Sequence, residues 1–120
     1  MSQQAGELAM GNPFVFMDLR TTDQDRAKHF YGELFGWPVA DAMFTGPDGP
    51  WGGLTQLAEG DARRPQWIPY VPVDDLAAAV RKATDLGATI VRERVDLPQG
   101  SLAVIDDPSG ATMALWQSTE

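Results

Sequence analysis

The chain states one pattern twice. Phe14 to Asp23 carries strand-type residues that lead into a helix-patterned run ending at Gly36, and Trp67 to Asp75 leads into another that ends at Gly87. Asp23 to Gly36 and Asp74 to Gly87 span the same length, and in both halves extended-type sequence follows the glycine. Self-similarity at a period of about fifty residues marks paired copies of one supersecondary unit, because a single copy cannot bury its own apolar face. The unit reads strand, helix, then further strands. Two such units fit a chain of 120 residues as one small domain. The expected product is a paired, curved sheet around a cleft.

Local signals set the boundaries. Phe14 to Thr21 reads as a strand, and Thr22 or Asp23 supplies an oxygen for the free amides of a helix start. Ala27, Phe30, Tyr31, Leu34 and Phe35 recur at helical spacing and predict a buried stripe. Gly36 ends the helix. Trp37 to Phe44 reads as extended, Thr45 to Pro50 as a turn, and Trp51 to Leu57 as a strand. In the second half, Gln66 to Val73 is a strand that Pro69 and Pro72 confine to an edge or an irregular ladder. Asp74 or Asp75 starts a helix with Leu76, Ala79, Val80, Ala83 and Leu86 on its inner face. Strands follow at Ala88 to Val95, Ser101 to Asp106 and Ala111 to Gln117, the last two joined by the turn Asp107-Pro108-Ser109-Gly110. The division is thus a mobile tail over 1–12 and a single domain over 13–120. Within it lie module one (13–57), a linker (58–65) and module two (66–117). After its helix-ending glycine module one has 21 residues, Trp37 to Leu57, where module two has 30, Ala88 to Gln117, so its strands are expected to be shortened or one to be missing.

The formal net charge is -8, with acids scattered along the chain. Such a field repels nucleic acid and anionic membranes, so neither is an expected partner. There is no cysteine, which removes disulfides, thiolate ligands and a cysteine nucleophile. Met1 to Gly11 lacks the basic residues and apolar run of a secretory signal, and no window reaches membrane-span length. The expected location is cytoplasmic.

Several stretches resemble the vicinal oxygen chelate superfamily, the family of glyoxalase I, extradiol dioxygenases and bleomycin-binding proteins. They are Thr22-Asp23 with Ala27, Phe30 to Trp37, Val73 to Leu76, Leu86-Gly87-Ala88, and Asp107 to Gly110. The resemblance implies an α+β fold of two βαβββ modules whose sheets curl around a cleft, here with the first module shortened. It also implies a divalent metal held by His, Gln or Glu from four strands. This sequence departs from that pattern. The corresponding positions fall on Phe16 or Met17, on Trp67 or Ile68, on Ala114, and on Gln56. Only Gln56 could donate an oxygen, so no metal or other cofactor is expected. His29, the only histidine, lies off the apolar stripe and is expected on the solvent face.

Strand alternation sorts the cleft residues. Val15, Met17 and Leu19 are expected to pack on the helices, which turns Phe14, Phe16, Asp18 and Arg20 to the cleft. Asp18 and Arg20 are also placed to pair with each other. In the second module Ile68 and Tyr70 face the cleft, as do Leu102, Val104 and Asp106 on one strand and Trp116 on the last. An aromatic, apolar lining with two carboxylates and one guanidinium suits a flat, partly aromatic ligand, the carboxylates fixing polar or cationic groups. The expected function is metal-independent sequestration of a small, planar, antibiotic-like molecule, with no catalytic residue. Two other readings stay open: a cofactor-less lyase, isomerase or cyclase using Asp18, Asp106 or Tyr70 as acid or base, and a dimeric regulatory module. A homodimer is expected from the resemblance and from the isologous pairing common among small domains.

Overall fold

The computed structural model describes residues 12–119. Apart from Asn12, the expected N-terminal tail lies outside the described residues. The chain divides into two units, Phe16–Pro69 and Tyr70 onward together with the residues just before Phe16.

The first unit runs β1 (Phe16–Thr21), α1 (Gln24–Phe35), β2 (Val39–Ala40), β3 (Met43–Gly46) and β4 (Gly49–Gln56). Its strands lie in the order β2-β3-β4-β1. β1 and β4 are parallel, in register from Met17↔Gly52 to Thr21↔Gln56, and the other pairs are antiparallel. The shortening expected of this module is real. All its strands form, but β2 has 2 residues and β3 has 4. Trp37 to Phe44 is not one extended run. It is a hairpin that reverses at Asp41 and Ala42, both with positive φ (52° and 61°). Aspartate tolerates that conformation but alanine does not favour it, and no glycine or asparagine marks the turn in the sequence.

The second unit repeats the plan. β5 (Gln66–Pro72) crosses the boundary between units, and α2 (Leu76–Asp85), β6 (Thr89–Leu97), β7 (Gly100–Asp106) and β8 (Thr112–Ser118) follow. Here the order is β5-β8-β7-β6, with β5 and β8 parallel. The β5–β8 ladder is confined to Tyr70–Pro72. Proline 72 has no N–H to give, and the next residue, Val73, donates to the Trp116 carbonyl at 2.8 Å. Both modules are therefore βαβββ units in which the first and last strands close a parallel pair.

Caps fall where the sequence places them. Asp23 accepts from the Arg26 amide and Asp75 from the Ala78 amide, each at 3.0 Å. Gly36 closes α1 in the left-handed conformation, φ 72°, and returns its N–H to the Gly32 carbonyl at 2.8 Å. In the second unit Leu76, Ala103, Ile105 and Leu115 form the core, with Ala79, Val80 and Ala83 packed against it from α2. Leu86 does not join them. It is the C-cap, past the last helical turn, and is largely exposed.

The first core is built differently. Leu19, Phe44 and Leu54 are buried, and Tyr31, Trp37, Trp51 and Trp67 pack around them. The Tyr31 ring lies 5.4 Å from Trp67, 5.6 Å from Trp37 and 6.1 Å from Phe44 between ring centroids. Of the stripe expected on α1, only Ala27 and Tyr31 reach this core. Phe30, Leu34 and Phe35 are each more than half exposed, and no residue of α1 is buried. Large rings between helix and sheet hold α1 off the strands, whereas the alanines of α2 let it settle. Among the described residues no helix is long and apolar enough to cross a membrane.

Candidate functional site

The residues read as ligand-binding lie mostly on strand faces turned away from the helices. In the first unit Leu19 packs toward α1, so alternation along β1 sends Asp18 and Arg20 the other way. Asp18 is 3% exposed. Its carboxylate accepts from Thr55 Oγ1, which lies 2.9 Å from both oxygens, and from Arg20 Nε at 3.1 Å. Burial of a charge is tolerated there because it is paired and hydrogen-bonded. Gly53 stands opposite Asp18 on β4. A Cβ at that position would lie 2.7 Å from Asp18 Oδ1 and 3.3 Å from the Phe16 ring. The absent side chain is what lets the carboxylate and the ring lie side by side. Thr55 and Gly53 were not read from the sequence. Alternation along β4 could have found them only if the parallel β1–β4 register had been known.

In the second unit Ala103, Ile105, Met113 and Leu115 pack toward α2, which leaves Leu102, Val104, Ala114 and Trp116 on the helix-free face. Leu102, Val104 and Ala114 are buried, as is Ile68 on β5. Tyr70 and Trp116 are half-buried, with ring centroids 6.0 Å apart and planes tilted by 39°. Trp116 sits opposite Leu102 and its indole overlies Gly100, whose Cβ would meet Cζ2 at 2.7 Å. Asp106 accepts from Thr112 Oγ1 at 2.6 Å. Phe14 is exposed, just before Val15, whose amide donates to the Tyr70 carbonyl at 3.0 Å. Of the ten residues, then, Phe14, Phe16, Arg20, Tyr70, Asp106 and Trp116 keep solvent-reachable surface. Asp18, Ile68, Leu102 and Val104 form buried support.

A further hollow of about 420 Å³ lies in the first unit on the helix side, lined by Leu19, Thr21, Arg26, Phe30, Tyr31 and Trp67 among others. None of the residues expected to bind ligand lines it. It is the space left under α1 because the helix stands off the sheet, and the exposed Phe30 marks its edge. Trp67 Nε1 donates to the Tyr31 hydroxyl at 3.1 Å on its wall.

Two carboxylates elsewhere are held below the ordinary carboxylate range. The Ser101 hydroxyl, then Arg94, does this for Asp96. For Asp107 it is the Ser109 hydroxyl, followed by the Ala111 and Ser109 amides, which tie together the turn before β8. Both serve local structure. His29 is exposed on α1, as expected.

The side chains do not fit the metal that the resemblance implies. Phe16, Met17, Ile68 and Ala114 carry no donor atom suited to a divalent ion, and Trp67 uses its indole N–H on Tyr31. The Gln56 carboxamide is committed to the start of α1, accepting from the Gln24 amide at 3.2 Å and donating to the Thr22 carbonyl at 2.7 Å.

Comparison with known proteins places this geometry. The chain is 34% identical over 125 residues to a Mycobacterium bovis protein carrying the provisional name glyoxylase CFP32, covering 93% of this chain and 48% of that protein. It is 33% identical over 113 residues to the anthracycline biosynthesis protein DauV of a Streptomyces species, covering 88% of this chain and 41% of that one. The chain thus spans about half the length of the curated relatives it matches. Methylmalonyl-CoA epimerase from Mycobacterium tuberculosis shares the fold at a TM-score of 0.61 and 18% identity, over 90% of this chain and 89% of the other. The sequence profile of one family covers residues 13–115, and by that match the chain belongs to the Glyoxalase/Bleomycin resistance protein/Dioxygenase superfamily.

Proposed function

We propose that this chain binds a small, planar, partly aromatic molecule without a metal ion, holding it against the helix-free sheet face. The observation that carries the reading is the Tyr70–Trp116 pair. Two half-buried rings stand 6.0 Å apart beside a floor of buried Leu102, Val104 and Ala114. Rings already ordered by packing lose little freedom when a flat ligand stacks on them. A relative named for anthracycline biosynthesis supports a ligand of the antibiotic-like class.

The test is calorimetric titration with flat aromatic compounds, alongside thermal melting. A bound compound at a hundredfold excess over its Kd should stabilise the chain by about 2.7 kcal/mol. Trp116→Ala should weaken binding by roughly 1–3 kcal/mol, the range for a contact ring in a desolvated site. If no flat aromatic compound changed the melt, or if Trp116→Ala bound as tightly as the parent chain, this reading would be wrong.

A further inference from the structure

The helix-free face of the second unit carries a cation that strand alternation hides. Ile90 on β6 packs against the core under α2, so alternation puts Arg92, two residues on, on that same side. The register reverses this. Ile90 pairs with Ile105, but Arg92 pairs with Val104, and the ladder shifts between the two pairs. Cross-strand partners share a face, and Val104 is on the helix-free one. One extra residue, Val91, therefore turns Arg92 over. A second shift follows before Val95, which pairs with Leu102 and so stays on the face Arg92 has reached. Bulges re-aim side chains, and here one stands on each side of a single arginine.

The same registers lay a row of residues across the sheet. Arg92 stands beside Val104, Val104 beside Ala114, and Ala114 beside Tyr70. The Tyr70 and Trp116 rings, 6.0 Å apart, bound one end and the guanidinium bounds the other. From β8 to β6 is two strand spacings, about 10 Å. Between them lie Val104 and Ala114, both buried and small. Arg92 is exposed, and among the described residues no hydrogen bond or ion pair engages its guanidinium. Arg94, by contrast, is held by Asp96 at 2.9 Å and Ser101 at 3.3 Å. Asp106, the carboxylate read onto this face, accepts from Thr112 across the β7–β8 ladder, on the side away from β6.

We propose that Arg92 anchors the bound molecule, and that the molecule is a flat aromatic acid with its carboxylate at one end of the ring system. The proposal rests on the reading of the Tyr70–Trp116 face as a binding site. It adds the charge of what binds and where that charge lies. A guanidinium is a planar fork of donors with no acceptor, and its parallel N–H groups match the two oxygens of a carboxylate. An uncharged ring system stacks on Tyr70 and Trp116 but leaves that fork to water. A cationic one is repelled by it. The net charge of -8 opposes anions at long range, yet fields fade over about 8–10 Å at ordinary salt, so the nearest charge decides within the site.

The experiment is calorimetric titration of the full chain with anthracene probes. They are an acid with its carboxylate on an end ring, the matching end-ring carboxamide, and an acid with its carboxylate on the middle ring. The end-ring acid should bind about fivefold more tightly than the amide, the upper range for an exposed bidentate pair. The middle-ring acid should gain nothing over the amide, because its charge points across the row and not along it. Arg92→Gln should erase the advantage of the end-ring acid and leave the amide within about twofold. Arg81→Gln, on α2 and so on the other side of the sheet, removes the same charge and should leave the advantage intact. Equal binding of the end-ring acid and its amide to the parent chain would overturn the proposal while leaving the planar-ligand reading standing. So would an advantage that survives Arg92→Gln, that Arg81→Gln also removes, or that the middle-ring acid shares. Binding of none of the three would overturn both.

Discussion

At position 53 the chain carries glycine directly across the β1–β4 ladder from Asp18, and the space a methyl group would take is already filled by Oδ1 and the Phe16 ring. Thr55 and Arg20 hold that carboxylate from two sides, so it cannot swing away. Gly53→Ala should therefore destabilise the chain by about 1–3 kcal/mol, the usual range for overpacking a closed site. Denaturant melts of the variant measure this. A midpoint equal to that of the parent would mean that the carboxylate yields at no cost. The same position explains what sequence reading could and could not reach here. Asp18 and Arg20 lie two apart on one strand face, and their pairing is legible from alternation. Thr55 lies 37 residues away in sequence, and only the parallel register brings its hydroxyl to Asp18. Without it, a closed ion pair passes for an open acidic subsite.

The two helices began as equivalent apolar stripes and ended unlike. Leu76 on α2 is fully buried, while Leu34 on α1 is more than half exposed. Leu76→Ala should cost about 2–5 kcal/mol, the range for emptying a packed leucine site. In the single chain, measured below the concentration at which copies would pair, Leu34→Ala should stay within about 0.5 kcal/mol of the parent, as for surface positions. Chemical denaturation of the two variants in parallel checks the contrast, and similar losses would show that α1 is more deeply seated than the exposure of Leu34 implies. The helix caps and the turn before β8 were legible, because Asp23, Asp75, Gly36 and Asp107 act through bonds within a few residues of themselves. Periodicity picked out the packed face of α2 apart from Leu86, but on α1 only Ala27 and Tyr31 of its stripe reach the core. It could not say how closely that face approaches the sheet. That distance depends on what stands between, and under α1 it is Tyr31 with Trp37 and Trp67. The β2–β3 hairpin escaped for a related reason. Asp41 and Ala42 take positive φ without glycine or asparagine to signal it.

For the whole molecule, the expected binding mode makes a statement about metals. Three of the four ligand positions hold aromatic or apolar side chains and the fourth, Gln56, is bonded to the start of α1, so dialysis against EDTA should leave the melting temperature unchanged. A chelator-sensitive melt would revive metal-centred chemistry. We also propose that the chain works as a homodimer. Phe30, Leu34 and Phe35 on α1 are an apolar surface of the kind that self-association covers. Sedimentation at tens of micromolar should report twice the 13.1 kDa chain mass. A monomer there would count against it.

The uneven sharing of aromatic rings between the twin modules has an optical consequence. Tyr31, Phe35, Trp37, Phe44, Trp51 and Trp67 form one connected set in the first unit, with centroids as close as 4.5 Å for Phe35–Trp37 and 4.8 Å for Trp37–Trp51. The second unit contributes the Tyr70–Trp116 pair. Rings fixed at such distances in a chiral frame couple their electronic transitions. Near-ultraviolet circular dichroism of this protein should therefore be dominated by the first module. Far-ultraviolet dichroism draws on the backbone of both. Two modules of the same topology thereby become separately visible, and melting curves at the two wavelengths report whether they come apart together or one before the other.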